Sequence, residues 1–174
     1  MNIRYASESD VPKILGIYKP YIENSPITFE TEVPGHKEFL IRFNNITKVY
    51  PWLVCEVNGA VIGYAYASQL RERSAYKWSV ELGIYIDESF QGKGIGRALY
   101  EKLIEILTEQ GFYNAFAGIT LPNTASIKLH ESLGFTKVGI YKNVGFKSGK
   151  WHDVVWYQFA LNTRGAPSEI KGLN

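Results

Sequence analysis

The chain is short of cysteine, of histidine and of long apolar runs, and each shortage closes off a class of protein. A single cysteine, Cys55, leaves no internal disulfide framework. The three histidines, His36, His130 and His152, show no metal-ligand spacing with one another or with Cys55. No apolar stretch approaches the roughly 20 residues needed to cross a bilayer. The opening MNIRYASESD carries acids where a secretory leader would carry its apolar core. Charge of one sign is also scarce: the net value of +2 is too mild to mark a nucleic-acid or membrane surface. These shortages set the expectation of a cytoplasmic protein with no metal, no membrane partner and no nucleic-acid partner.

What is present is ordinary globular material. The 174 residues suffice for one domain with a substantial core. Up to Leu161 there is no linker, repeat or low-complexity block. The remainder, NTRGAPSEIKGLN, loses periodicity and gains glycine, proline and polar residues. The expected organisation is one domain over 1–161 and a loose tail over 162–174.

Patterning along the domain predicts a short strand at NIRYA and a helix over SESDVPKILGIYKPYI, with Ile14, Ile17 and Tyr18 on one face. Pro20 and Pro26 are expected to break it. A second helix is predicted from Lys37 to Thr47. WLVCEV and AVIGYAYAS flank Asn58-Gly59, a dipeptide suited to a tight hairpin turn. YKWSVELGIYID reads as a strand. GIGRALYEKLIEILTEQG carries an apolar stripe of Ile95, Leu99, Leu103, Ile106 and Leu107, with Gly111 suited to end it. A strand at NAFAGIT, a helix over NTASIKLHESLG capped by Asn123, and strands near FTKVGIYKN and HDVVWYQFAL complete the series. Consecutive strands followed by alternating helix and strand indicate an α/β domain with a mixed sheet.

The informative stretch is QGKGIG at 91–96, between a strand and the best helix. Glycines there remove side chains that would hold a diphosphate off, and the first helical N–H groups lack intrahelical partners. Spacing excludes two familiar loops. A dinucleotide fingerprint needs a third glycine where Arg97 stands. No Gly-Lys-Ser/Thr run exists for a P-loop. What remains is Q-x-x-G-x-G opening a long helix. Gly83, inside an otherwise good strand, marks a bulge or a close backbone approach. Such a strand, bent from its neighbour, would leave main-chain groups open to amides of a ligand.

That loop, together with YPWLVCEVNG, GYAYAS, AYKWSVELGIYI, LPNTASIKLHESLGF and GFKSGKWHDVVWYQ in order, resembles the GNAT N-acetyltransferase superfamily and, within it, the phosphinothricin acetyltransferase-like subgroup. The likeness covers nearly everything up to residue 161. It implies a mixed, mostly antiparallel sheet of about seven strands with about four helices and splayed central strands. It also implies acetyl-CoA as cosubstrate and a homodimer. By the same resemblance, the main chain of Ile84, Tyr85 and Ile86 meets the pantetheine arm. Gln91, Gly92, Lys93, Gly94, Ile95, Gly96 and Arg97 surround the diphosphate, and Asn123 and Ser132 touch the same cofactor. Asn123 also reads as a plain helix cap, and the two roles are compatible.

Acetyl transfer to an amine needs a deprotonated nucleophile, in-line attack, a stabilised oxyanion and a reprotonated thiolate. Glu81 is the candidate base: in strand alternation it shares a face with Ser79, Gly83 and Tyr85, against Trp78, Val80, Leu82, Ile84 and Ile86. The alternative is a carboxylate paired with a cation. A glutamate's ordinary pKa of about 4.3 would have to be raised by burial, or a water interposed. His130 stands where most of the superfamily has tyrosine and is the candidate proton donor, with Tyr85 and Tyr141 in reserve; it also reads as a packed helix residue. Cys55 alternates with Leu53 and Val57 and reads as core, so direct transfer in a ternary complex is expected.

For the acceptor, RERSAYK offers Arg71 and Arg73 as carboxylate partners, and guanidinium geometry suits that task. The alternative is a solvated loop. Tyr76 and Trp78 supply aromatic walls. The acceptor side is expected to comprise Arg73, Ser74, Ala75, Tyr76, Glu81, Leu82, Gly83 and Lys147, the last closing the pocket from the far side or from a partner subunit. The resemblance implies the α-amino group of a small amino-acid analogue such as phosphinothricin, methionine sulfoximine or methionine sulfone. Other readings are a different amine (a protein N-terminus or polyamine) and a non-catalytic acyl-CoA sensor.

Overall fold

The computed structural model describes residues 1–162 and 165–173; Thr163, Arg164 and Asn174, part of the expected loose tail, lie outside the described residues. Seven strands form one sheet: β1 (Asn2–Tyr5), β2 (Trp52–Val57), β3 (Ala60–Gln69), β4 (Ser79–Ile86), β5 (Asn114–Thr120), β6 (Thr136–Lys147) and β7 (Lys150–Ala160). Their order is β1-β2-β3-β4-β5-β7-β6. All neighbours are antiparallel except β4 and β5. Four helices flank the sheet: α1 (Val11–Asn24), α2 (His36–Ile46), α3 (Ile95–Gln110) and α4 (Thr124–Ser132).

Strand alternation sorts the core into two layers. Leu53, Cys55, Val80 and Leu82 face α3, whose Leu99, Leu103 and Leu107 are fully buried. Trp52, Val54 and Tyr64 face α1 and α2, meeting Ile14, Phe39 and Phe43. Truncating a leucine as enclosed as Leu103 to alanine costs about 2–5 kcal/mol. Cys55 is thus a core residue, as its alternation indicates, and burial pushes its thiol pKa up.

Local signals account for most boundaries. Asn58 and Gly59 both take positive φ (50° and 78°), closing the β2–β3 hairpin. Gly111 ends α3 in the left-handed region, and Asn123 caps α4 by accepting from the Ser126 amide at 3.1 Å. Two expectations need correction. Pro20 does not end α1, which continues to Asn24; the hydrogen bond that proline cannot make would have gone to Gly16, an exposed residue. Gly83 is not a bulge, because the β3–β4 register runs through it without a shift. It is a close approach: a Cβ there would lie 2.5 Å from the Tyr66 ring.

Residues 165–173 form neither helix nor strand. They nevertheless touch the domain: Trp78 Nε1 donates to Ser168 O at 2.8 Å and the Lys171 amide to Gln110 O at 2.8 Å.

Candidate active site

β4 and β5 pair only from Ser79 to Glu81, against Asn114 to Phe116. Beyond that point β4 stays with β3 and β5 stays with β7, so the sheet forks. The fork opens a cleft of about 710 Å³, closed on its other sides by the loop before α3, by α4 and by Tyr21 of α1.

Main-chain parity decides what β4 presents to this cleft. The Asp87 amide donates to Ile62 O, which fixes Asp87/Ile62 as a hydrogen-bonded pair. In an antiparallel ladder such pairs alternate. Tyr85, Gly83 and Glu81 therefore turn their amides and carbonyls to β3, whereas Leu82, Ile84 and Ile86 turn theirs to the open side of the fork. Of the three residues the resemblance implied for pantetheine, Ile84 thus turns its main chain to the cleft and Ile86 its amide, the Ile86 carbonyl accepting from the Tyr21 hydroxyl. Tyr85 does not, because β3 already satisfies its backbone.

The facing wall is the glycine loop. Gly92 and Gly94 sit at φ 72° and 80°, where an L side chain is strained, and nothing occupies the space a Cβ would enter. Gly94 is the N-cap of α3 and supplies no capping side chain. The first intrahelical bond runs from the Ala98 amide to Gly94 O, so the amides of Ile95, Gly96 and Arg97 have no intrahelical acceptor. No acid lies in that first turn, and the helix dipole adds positive potential. An open cradle of unpaired donors fits a diphosphate.

Most of the cofactor residues named from the sequence meet here: Ile84, Tyr85, Ile86, Gln91, Gly92, Gly94, Ile95, Gly96, Arg97 and Asn123 all border the cleft. Lys93 is beside it, donating to Ser89 O at 2.9 Å with its ammonium 4.7 Å from the Phe90 ring centroid. Ser132 is one step removed, accepting from Arg97 at 2.9 Å and so tying the start of α3 to the end of α4.

Glu81 stands at the vertex of the fork. Among the described residues its carboxylate has no hydrogen-bond or ion-pair partner, so the paired-cation alternative finds no support. Burial raises its pKa, opposed by the charge of Arg71. His130 is 2% exposed. Its Nδ1 lies 2.7 Å from Ser126 O, and because a carbonyl only accepts, that nitrogen carries the proton. Nε2 is then a lone-pair acceptor, buried and without a partner. Burial pushes the imidazole pKa down, so His130 rests neutral.

The acceptor residues scatter more. Leu82 and Gly83 border the cleft with Glu81. Arg73, Ser74 and Ala75 lie on an exposed loop, with Arg73 capping a single 3-10 turn over Ser74–Tyr76. Arg71 and Tyr76 line a smaller cavity of about 310 Å³, which shares Tyr141 and Trp156 with the main cleft. Lys147 borders neither cavity: it is buried, donates to Thr28 O at 2.8 Å, and has its pKa lowered by desolvation. Sequence reasoning missed Tyr21, Phe29, Tyr66 and Trp156 as cleft walls. Each reaches the site across the fold, and no local pattern marks it.

A forked sheet whose open strand edge faces a helix N-terminus, with an unpartnered carboxylate at the fork, suits an extended amide-bearing ligand that ends in a diphosphate and presents its other end to a base. The chain belongs to the acetyltransferase (GNAT) domain family, which matches residues 3–156, and is an N-acetyltransferase. It is 37% identical to the phosphinothricin N-acetyltransferase of Streptomyces viridochromogenes, over 98% of this chain and 93% of that protein. It is 34% identical to an L-methionine sulfoximine/L-methionine sulfone acetyltransferase of Salmonella typhimurium, over 96% and 98%. Among solved structures it resembles a GNAT superfamily phosphinothricin acetyltransferase from Sinorhizobium meliloti in complex with acetyl-CoA. That likeness has a TM-score of 0.92 and 40% identity, covering 97% of this chain and 93% of that one.

Proposed function

We propose that this enzyme moves an acetyl group from acetyl-CoA to the α-amino group of a small amino-acid analogue, directly within a ternary complex. The observation that carries the reading is Glu81, an unpartnered and partly desolvated carboxylate at the fork, opening on the cleft that the glycine loop also borders. Relatives named for phosphinothricin and for methionine sulfoximine and sulfone support the acceptor class.

When bound, acetyl-CoA supplies an activated acyl carbon and a good leaving group. The chain's own residues supply the rest. The amides opening α3 and the free edge of β4 bind and orient it. Glu81 takes a proton from the acceptor ammonium, its raised pKa bringing it closer to working pH. His130 rests with Nδ1–H given to Ser126, so it is no ready acid. It acts as a relay: its Nε2 lone pair takes the proton that the attacking amine nitrogen sheds as the N–C bond forms, and passes that proton to the sulfur as the C–S bond breaks. Arg71, near enough to lower the Glu81 pKa, attracts the acceptor's anionic group.

The chain works as a homodimer in this reading, supported by exposed apolar side chains on the outer hairpin: Val138, Tyr141, Val144, Phe146 and Trp151. The reaction is placed in the cytoplasm, which supplies its thioester. The test is thiol release from acetyl-CoA against phosphinothricin, methionine sulfoximine, methionine sulfone, free amino acids, polyamines and short peptides. Turnover confined to the small amino-acid analogues is expected. Preference for polyamines or peptides would overturn the acceptor class, and binding without turnover of any amine would favour a sensor.

A further inference from the structure

The hydroxyl of Tyr21 makes two hydrogen bonds that no local sequence signal announces. It lies 2.5 Å from Ile86 O and 2.9 Å from Gln91 Nε2. A phenol has one proton, and a carbonyl can only accept, so that proton goes to Ile86. The oxygen must then accept from Gln91, which fixes the amide end that Gln91 presents. Burial raises the Tyr21 pKa, so the group stays a phenol at neutral pH. Its ring packs edge-on against Tyr85 at 5.1 Å, which holds the hydroxyl in place.

These two contacts join the two surfaces on which the cofactor reading depends. Ile86 is the last residue of the open β4 edge, and Gln91 opens the Gly92–Gly94 loop. The segment between them is braced chiefly within itself: Asp87 accepts from the Ser89 amide, and Lys93 reaches back to Ser89 O. Its ties to α1 are the Tyr21–Gln91 bond and a 4.0 Å ion pair between Lys13 and Asp87. That ion pair is solvent-screened and weak. Gly92 and Gly94, at positive φ with empty space around them, have no side chains to hold their own posture.

We infer that Tyr21 is a positioning residue for the diphosphate end of the cleft, setting the distance between the open edge of β4 and the glycine loop. The inference rests on the cofactor reading proposed above and extends it to a residue of α1. Tyr21 itself need not touch the diphosphate; it acts through Gln91 and the loop.

The test is Tyr21→Phe in the full chain, which keeps the ring against Tyr85 and removes only the hydroxyl. Calorimetry with coenzyme A, and in parallel with pantetheine, which lacks the diphosphate, separates loop posture from general damage. Loss of one such hydrogen-bonded link corresponds to a weakening of coenzyme A binding by about 3- to 10-fold. Pantetheine affinity should stay within about twofold of the parent. In kinetics the KM for acetyl-CoA rises while kcat at saturation holds. Gln91→Leu, on an exposed loop, should reproduce the effect, and the double variant should be no worse than either single one. Equal coenzyme A affinity in Tyr21→Phe would overturn the inference. So would a matching loss for pantetheine, or additive effects of the two substitutions. Failure of the parent itself to bind coenzyme A would instead strike the cofactor reading.

Discussion

The two ends of the cleft are made of different material. At the end proposed for the diphosphate the cleft presents main chain: the amides opening α3 and the open edge of β4. At the end proposed for the acceptor it presents side chains on an exposed loop and on β4, namely Arg71, Tyr76 and Glu81. Backbone donors need only a fold and the absence of obstructing side chains, so they suit a cosubstrate that never changes. Side chains on a loop can be exchanged without disturbing the sheet, so they suit an acceptor that differs between relatives.

The sharpest way to separate the ends is Glu81→Gln. Removing the base should lower turnover on the order of 10²- to 10³-fold near neutrality. Coenzyme A affinity should not change, because Glu81 turns its main chain to β3 and its carboxylate to the fork. The pH profile carries the sign. A carboxyl with raised pKa is active only once deprotonated, so the parent's kcat should fall as pH drops through a value above the ordinary glutamate range. The variant should lose that acid limb. Retained turnover with the limb intact would remove Glu81 from the chemistry.

The opposite end is probed by Gly94→Val. At φ 80° a β-branched residue is strained by about 1–2 kcal/mol, and the loop would relax away from its cradle. Coenzyme A binding should weaken about tenfold in calorimetry, with kcat at saturation nearly unchanged. No protein atom lies within 4 Å of the position a Cβ would take, so the added side chain would also stand in the space the cradle leaves for the diphosphate. A variant that bound coenzyme A normally would show that the cradle does not depend on left-handed glycine.

This contrast also explains what could be read from the sequence. Gln91 to Gly96, the α3 stripe, the Asn58-Gly59 turn and the Asn123 cap are local signals, each a few residues long, and each stands where it was read. The place of Glu81 on the cleft was legible because a lone carboxylate in an apolar strand needs a reason. Gly83 was only half legible. Its missing side chain makes room for Tyr66, a partner on the neighbouring strand, and sequence alone cannot tell that from a bulge. Tyr21, Tyr66 and Trp156 carry no local mark: they enter the site through contacts across the sheet or from another helix. The acceptor loop fared worst. Arg73 was read from the charge of RERSAYK and Lys147 from the GKWHDV run that follows it, and the fold places Lys147 against Thr28 O and Arg73 on an exposed turn.

The smallest expected effect lies where the two ends meet. Arg71 is exposed and, among the described residues, donates only to the neighbouring Leu70 carbonyl, yet its charge is what opposes burial at Glu81. Arg71→Ala should therefore do two separable things. The KM for an anionic acceptor should rise about two- to fivefold, the range of a solvent-screened ion pair. The acid limb of kcat should also move to higher pH, because burial then raises the Glu81 pKa unopposed and a larger fraction of the base is protonated at any given pH below the plateau. At pH well above the limb, kcat should match the parent. Arg73→Ala is the control, since Arg73 is not among the charges acting on Glu81, and it should leave the limb where it is. If both arginines shifted the limb equally, the effect would belong to the general charge of the loop. If neither did, the acceptor end would not tune the catalytic carboxylate, and the two halves of the cleft would be independent in charge as well as in construction.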